Sequence, residues 1–179
     1  MNRKIFFKHC FLFSCFSFMK GKSVHAASED ETAPSLDSDP QASFRHEWLK
    51  SLLNHMDHSL PDTTRIRLME SCGRDCAKHG PVKMAEKYKG NPDQFISALR
   101  SHIGEDNLTR NGDIVSLKYP ECYCPMVSKI NGEISDTWCE CSSGWVLEMF
   151  ETVSGKKVEM RRIRSILSGD DFCEFEIRM

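Results

Sequence analysis

The cysteine content constrains this chain more than any other feature of its sequence. Nine cysteines occur in 179 residues, and seven of them follow residue 26. Six of the seven form close pairs, and the seventh stands alone: Cys72-x3-Cys76, Cys122-x-Cys124, Cys139-x-Cys141 and Cys173. Three close pairs are not expected from core filling alone, so the pattern indicates a thiol-based site or a set of disulfides. The lone Cys173 is interpreted as a core residue, because free cysteine is commonly buried.

The first 26 residues have the pattern of a secretory signal. Three basic residues stand within the first eight, and a short apolar run follows from Cys10 to Met19. Val24-His25-Ala26 then offers small residues at the two positions that a signal peptidase reads. We therefore expect a periplasmic or secreted protein that is cleaved near Ala26. Lipid anchoring at Cys15 is the alternative.

Composition and charge exclude several classes of function. Residues 27–42 are acidic and contain Ser, Thr and Pro, which predicts a disordered linker before a single domain over 43–179. The first 26 residues hold five of the 24 basic residues and none of the 26 acidic ones, so the remainder carries a net charge of −7. Such an acidic chain does not suit nucleic acid or an anionic membrane as a partner. No stretch reaches the roughly 18–20 apolar residues of a membrane helix.

Hydrophobic spacing predicts helices in the first half of the domain and mostly strands in the second. The predicted helices cover residues 43–58, 62–79, 82–89 and 92–103. The predicted strands cover residues 114–119, 157–167 and 172–178, with a further helix over 142–150. This order predicts an α+β fold in which N-terminal helices pack on a small, mostly antiparallel C-terminal sheet with one further helix.

The first cysteine pair lies on one face of a predicted helix. Cys72 and Cys76 are one helical turn apart, so their Cβ atoms lie ~5–6 Å apart. That separation exceeds the Cβ distance of about 3.5–4.5 Å in a disulfide. Gly73 between them leaves room for another segment to approach closely. Arg74 and His79 are nearby groups whose positive charge can favour a thiolate.

The other two pairs flank a predicted turn at Asn131-Gly132, a strong hairpin signal. Cys139 and Cys141 come just before the predicted start of a helix at Ser142-Ser143, whose N-terminus would favour a thiolate. A hairpin could bring this pair beside Cys122 and Cys124, which would place up to four sulfur atoms together.

Three functions compete for these residues. The leading prediction is an exported domain that binds a metal ion, most simply zinc, or a small ligand, because zinc is held by thiolate and imidazole ligands. Its candidate ligands are the six paired cysteines: Cys72, Cys76, Cys122, Cys124, Cys139 and Cys141. The first alternative is a thiol-dependent hydrolase of a small cyclic or amide-like substrate, with Cys76 or Cys141 as nucleophile. The second is a disulfide-stabilised structural protein, which export would permit.

Four segments of the chain resemble a known group of proteins. They are Ser71 to Ala77, Cys122 to Pro125, Cys139 to Trp145 and Gly169 to Ile177. These segments are similar to an uncharacterised, cysteine-rich bacterial family related to the L-2-amino-thiazoline-4-carboxylic acid hydrolase-like proteins and, more distantly, to the vinyl-reductase-type small-molecule-binding domain. The resemblance covers about Asp62 to Met179. It implies an α+β domain that encloses a pocket for a small ligand, in some relatives beside a metal, and it assigns no catalytic residue.

Overall fold

The computed structural model describes residues 40–128, 130 and 133–179. The predicted signal segment and the linker as far as residue 39 lie outside the described residues, and so does the predicted turn at Asn131-Gly132. None of the described helices is both long and apolar enough to cross a membrane. Within the described part, helices come first, and a small antiparallel sheet with one further helix follows. The predicted α+β fold is therefore confirmed.

Five α-helices are formed, four of them before the first strand. They are α1 (Pro40–Ser59), α2 (Asp62–Lys78), α3 (Pro81–Glu86), α4 (Pro92–Ile103) and α5 (Cys139–Ser154). Three of these helices open on a proline, a residue that suits the first helical turn because its missing N–H has no partner there. For this reason α1 begins three residues before its predicted start. Helix α5 also starts three residues early, so the prediction of a start at Ser142 was wrong.

Four antiparallel strands make one sheet with the order β1-β2-β4-β3. The strands are β1 (Leu108–Asn111), β2 (Ile114–Tyr119), β3 (Glu159–Arg164) and β4 (Cys173–Arg178). The alternating pattern of β4 buries Phe175 and Ile177, which pair with Leu117 and Val115 of β2. Strand β1 was not predicted, since only Leu108 of its four residues is buried. Strand β3 ends earlier than predicted, because a 3₁₀ turn follows at Ile166–Ser168.

Two apolar clusters fill the interior, and α5 contributes to both. The larger cluster lies between the sheet and helices α3, α4 and α5, where Phe95 meets Phe150 edge-on at a ring separation of 5.5 Å. The smaller cluster joins α1 and α2 to the segment that precedes α5, through Leu53, Met69 and Val127. Several partly buried cysteines pack against these clusters, so their thiols lie at the boundary between core and solvent.

Candidate functional site

Helices α2 and α5 cross at two glycines, where their backbones touch. An ideal Cβ on Gly73 would lie 1.8 Å from the carbonyl oxygen of Cys141. A Cβ on Gly144 would lie 1.9 Å from the carbonyl oxygen of Glu70. The predicted close approach at Gly73 is thus confirmed. Backbone contact, and not side-chain packing, sets the distance between the two helices at this point.

The crossing joins the cysteine pair of α2 to the first turn of α5. Cys72 and Cys76 lie on either side of Gly73 and are exposed, whereas Cys141 is half-buried. Cys124 joins them from the segment between β2 and α5, where its Sγ accepts a hydrogen bond from the indole N–H of Trp138 at 3.4 Å. We refer to Cys72, Cys76, Cys124 and Cys141 as the thiol cluster.

Within the thiol cluster, the other three thiols oppose the ionisation of Cys141. Burial, together with the neighbouring thiols of Cys124, Cys76 and Cys72, raises the pKa of the Cys141 thiol to about 12. A first thiolate at one of these positions disfavours a second one nearby. Burial of the Cys141 thiol thus acts against the thiolate that the helix N-terminus is expected to favour.

Cys139 and Cys173 lie on the sheet side of α5, whereas Cys122 packs against the smaller apolar cluster beside Cys124. Cys139 is buried, with its Sγ 2.9 Å from the Oγ of Ser165. Cys173 accepts a hydrogen bond from the backbone N–H of Ile166 at 3.5 Å. Burial raises the pKa of Cys139 to about 11, although Ser165 and the charge of Arg162 act in the opposite direction.

The two Cys-x-Cys pairs lie close enough to influence each other. Cys139 and Cys141 are two residues apart on a helix, which turns them about 200° away from each other. Cys122 interacts with Cys124, Cys139 and Cys173, and Cys141 interacts with Cys124 and Cys139. Cys122, Cys124 and Cys141 also pack against the same apolar cluster. The α2 pair, Cys72 and Cys76, approaches these thiols at Cys141.

The thiol cluster contains four sulfur atoms, as many as a structural zinc site can use, but these atoms are not arranged around one point. Within residues 40–128, 130 and 133–179, no three His, Cys, Asp or Glu side chains are arranged to hold a metal ion. All seven described cysteines are free thiols. Four thiolates are nevertheless a common ligand set for structural zinc, with Zn–S distances of about 2.3 Å. The donor atoms are of the type that zinc prefers, whereas their arrangement among the described residues is not that of a zinc site.

Ion pairs fasten α5 to its neighbours around this crossing. Arg74 of α2 donates through Nη1 to Glu148 at 2.9 Å and to Glu151 at 2.7 Å. Arg162 of β3 donates to Glu140 at 2.7 Å. The sequence suggested that Arg74 favours a thiolate at the neighbouring cysteines. Its guanidinium is instead engaged by two carboxylates of α5, a partnership that no local sequence pattern reveals.

A cleft of about 300 Å³ opens on strands β3 and β4, away from the cysteines. Its lining is mostly charged and includes Arg161, Glu176 and Arg178. Arg161 and Glu176 pair with each other across the strands at 3.1 Å. The cleft is therefore a polar surface feature, and none of the predicted site residues lines it.

The contrast in burial predicts two classes of thiol reactivity. At pH 7.5 we expect iodoacetamide to label Cys72 and Cys76 rapidly, and to label Cys139 and Cys141 slowly because the raised pKa keeps them protonated. Labelling of the slow pair should accelerate only above about pH 10. Mass spectrometry of tryptic peptides after timed quenching would measure each rate. Fast labelling of Cys141 at neutral pH would contradict the burial described here.

Fold and thiol cluster together define a small α+β domain with a cysteine-rich helix crossing. The chain belongs to a family of unknown function, DUF6144, whose pattern matches residues 18–179. That description confirms an uncharacterised family and carries no hydrolase name, so the resemblance to hydrolase-like proteins stays a prediction.

Solved structures provide a further comparison. The chain is similar to the crystal structure of the phenol-responsive sensory domain of the transcription activator PoxR with phenol, with 11% identity and a TM-score of 0.38. The similarity covers 76% of this chain and 73% of that one. No curated protein matches the chain.

Proposed function

We propose that the protein binds a metal ion, zinc in the first instance, through the thiol cluster. The observation that supports this most directly is the meeting of three separate segments at one helix crossing. Cys72 and Cys76 come from α2, Cys124 from the segment before α5, and Cys141 from α5 itself. Cys141 lies 17 positions after Cys124 and Cys76 lies 48 positions before it, so only the folded chain assembles this set.

The chemistry of the donors favours a metal over a catalytic thiol. A nucleophilic cysteine needs a depressed pKa, whereas burial raises the pKa of Cys141 to about 12. A zinc ion reverses this penalty, because its charge replaces the protons of several thiols at once. The neighbouring thiols that oppose ionisation in the free protein then become additional ligands. This argues against Cys141 as the nucleophile of a hydrolase.

The exposure of Cys72 and Cys76 gives the proposed site an open side. Both cysteines are exposed, while Cys124 and Cys141 are half-buried. An ion would reach the solvent-facing pair first and the inner pair second. A site with this arrangement suits reversible binding of the ion more than permanent burial of it.

The decisive experiment compares a cysteine of the thiol cluster with a cysteine of the sheet. We expect the full chain, purified without chelators, to hold about one zinc, as measured by inductively coupled plasma mass spectrometry. Cys124→Ser should weaken zinc binding by at least about 100-fold, since loss of a ligand should exceed the 10–100-fold loss typical of outer-shell changes. Cys173→Ser is the matched control and should keep the zinc, because Cys173 lies on β4 and packs against the other apolar cluster.

Other results would overturn the proposal. Equal loss of zinc in Cys124→Ser and Cys173→Ser would mean that the thiol cluster does not hold the ion. No zinc in the wild-type chain, with few titratable thiols, would favour the disulfide-stabilised structural protein. If the wild-type chain held no zinc and all its thiols were free, binding of a small ligand or a reaction of the thiols would be favoured instead.

A further inference from the structure

Cys72 and Cys76 form a pair of exposed thiols on one side of α2. They are one helical turn apart, so their Cβ atoms lie ~5–6 Å from each other. This separation exceeds the Cβ distance of about 3.5–4.5 Å in a disulfide, so the regular helix keeps the two sulfurs from bonding to each other. A single atom placed between the sulfurs could still bond to both of them.

The residues between the two cysteines leave this pair uncovered. Gly73 is buried against the backbone of α5 and has no side chain. Arg74 reaches α5, where it donates to Glu148 at 2.9 Å. Asp75 accepts a hydrogen bond from Lys78 at 2.8 Å along the helix surface. The side chains of the intervening turn are therefore engaged elsewhere, and the two thiols are exposed to solvent together.

A trivalent arsenical with one organic substituent matches a pair of thiols at this spacing. Its arsenic atom carries two exchangeable hydroxyl groups, and one thiol can replace each of them. In the reaction, two As–O bonds break and two As–S bonds form at the same arsenic atom. Each thiol proton leaves with a hydroxyl group as water. The arsenic stays trivalent throughout, so the reaction needs neither an oxidant nor a reductant.

We propose that Cys72 and Cys76 form a dithiol site that captures monosubstituted trivalent arsenicals. The inference does not rest on the proposed zinc site, because it needs two thiols and no metal ion. Attachment through one sulfur makes the second bond intramolecular, which strengthens binding by about 10²–10⁴-fold over a single thiol. Inorganic arsenite takes three thiols and should bind more weakly, since the described part of the chain groups no three such side chains around one point.

The test uses the full chain, freed of metal by a chelator, with phenylarsine oxide as the probe. Intact mass spectrometry should show one phenylarsenic adduct per chain, which persists in excess mercaptoethanol and is released by the dithiol dimercaptopropanol. Cys72→Ser and Cys76→Ser should each weaken binding by about 10²–10⁴-fold, since the remaining thiol then binds alone. Cys173→Ser is the matched control and should keep the wild-type affinity, because Cys173 lies on β4.

A variant that moves one thiol separates the effect of spacing from the number of cysteines. Cys76→Ser combined with Lys78→Cys keeps the thiol count but places the pair six residues apart. Six residues turn a helix by about 600° and advance it by ~9 Å, so the two thiols no longer share one face. We expect this double variant to lose the adduct as fully as Cys76→Ser does. Wild-type binding by the double variant would overturn the proposal.

Other results on the wild-type chain would also contradict the dithiol site. An adduct that peptide mapping places on Cys124 and Cys141 would move the site into the helix crossing. Equal affinity for arsenite and for phenylarsine oxide would require a third thiol. Loss of helical circular dichroism on binding would mean that α2 does not hold the two thiols at a bridging distance. None of these outcomes decides zinc binding, which is measured on the chain purified without chelators.

Discussion

Replacing Gly73 with valine is expected to destabilise the protein by about 3–4 kcal/mol. The new Cβ would lie 1.8 Å from the carbonyl oxygen of Cys141, and its branches would meet the backbone of α5 as well. A backbone atom cannot rotate away as a flexible side chain can, so the two helices must separate. Gly73→Ala should lose about 2–3 kcal/mol for the same reason, even though alanine favours an isolated helix by ~1 kcal/mol over glycine.

Urea unfolding followed by circular dichroism would measure both changes. Ser71→Ala, two residues away on the exposed side of α2, provides the comparison and should change the stability by less than about 0.5 kcal/mol. A neutral or stabilising Gly73→Ala would mean that α2 and α5 do not touch at this position. Under the proposed function, the zinc content of any folded Gly73 variant should also fall, because the crossing sets the separation of the thiols.

Removing Arg74 is expected to cost about 2–3 kcal/mol at pH 7. Arg74→Met would leave Glu148 and Glu151 facing each other without their shared guanidinium, at side-chain exposures of only 23% and 15%. Breaking a fully buried pair costs about 3–5 kcal/mol, and partial exposure reduces that figure. Lys78→Met is the control, since the pair of Lys78 with Asp75 lies at the surface, where solvent screens it, and its loss should leave the stability essentially unchanged.

The cost of Arg74→Met should depend on pH. Burial alone would raise the pKa of Glu151, but hydrogen bonds from Arg74 and Lys157 outweigh it and hold the pKa below the usual 4.5. A carboxylate with a lowered pKa stabilises the fold fully above its unfolded-state pKa, and this stabilisation is lost as the pH falls through the folded-state value. The difference between wild type and Arg74→Met should therefore shrink between pH 7 and about pH 3. A constant difference over that range would contradict the ion-pair assignment.

The helices and the last strand could be predicted because burial imposes a period on the sequence. Leu49, Leu53 and Met56 show the helical period in α1, and Phe175 and Ile177 show the strand period in β4. Gly73 could be singled out because a glycine inside a helix is costly unless something needs the space. Strand β1 was not predicted, because it is stabilised by its pairing with β2 and has no alternating apolar pattern in its own sequence.

The composition of the thiol cluster could be predicted only in part. Residue spacing identified Cys72 and Cys76 as a same-face pair, because both lie on one helix. The division of Cys139 from Cys141 depends on where α5 begins, and that start was misplaced by three residues. Once the helix includes both cysteines, its rotation sends them to opposite sides. The partners of Arg74 lie 74 and 77 residues away in sequence, beyond the reach of any local pattern.

The two-glycine crossing makes α2 and α5 sensitive to changes in length. One residue inserted between Gly144 and Cys141, or between Gly73 and Cys76, would rotate the affected cysteine by about 100° around its helix. The sulfur would then face the core or the solvent, while the glycine contact kept the helices in register. Insertions in the connecting loops would leave both helices unrotated. Among homologues, we therefore expect gaps in the loops and a fixed count of residues from Cys72 to Cys76 and from Cys141 to Gly144.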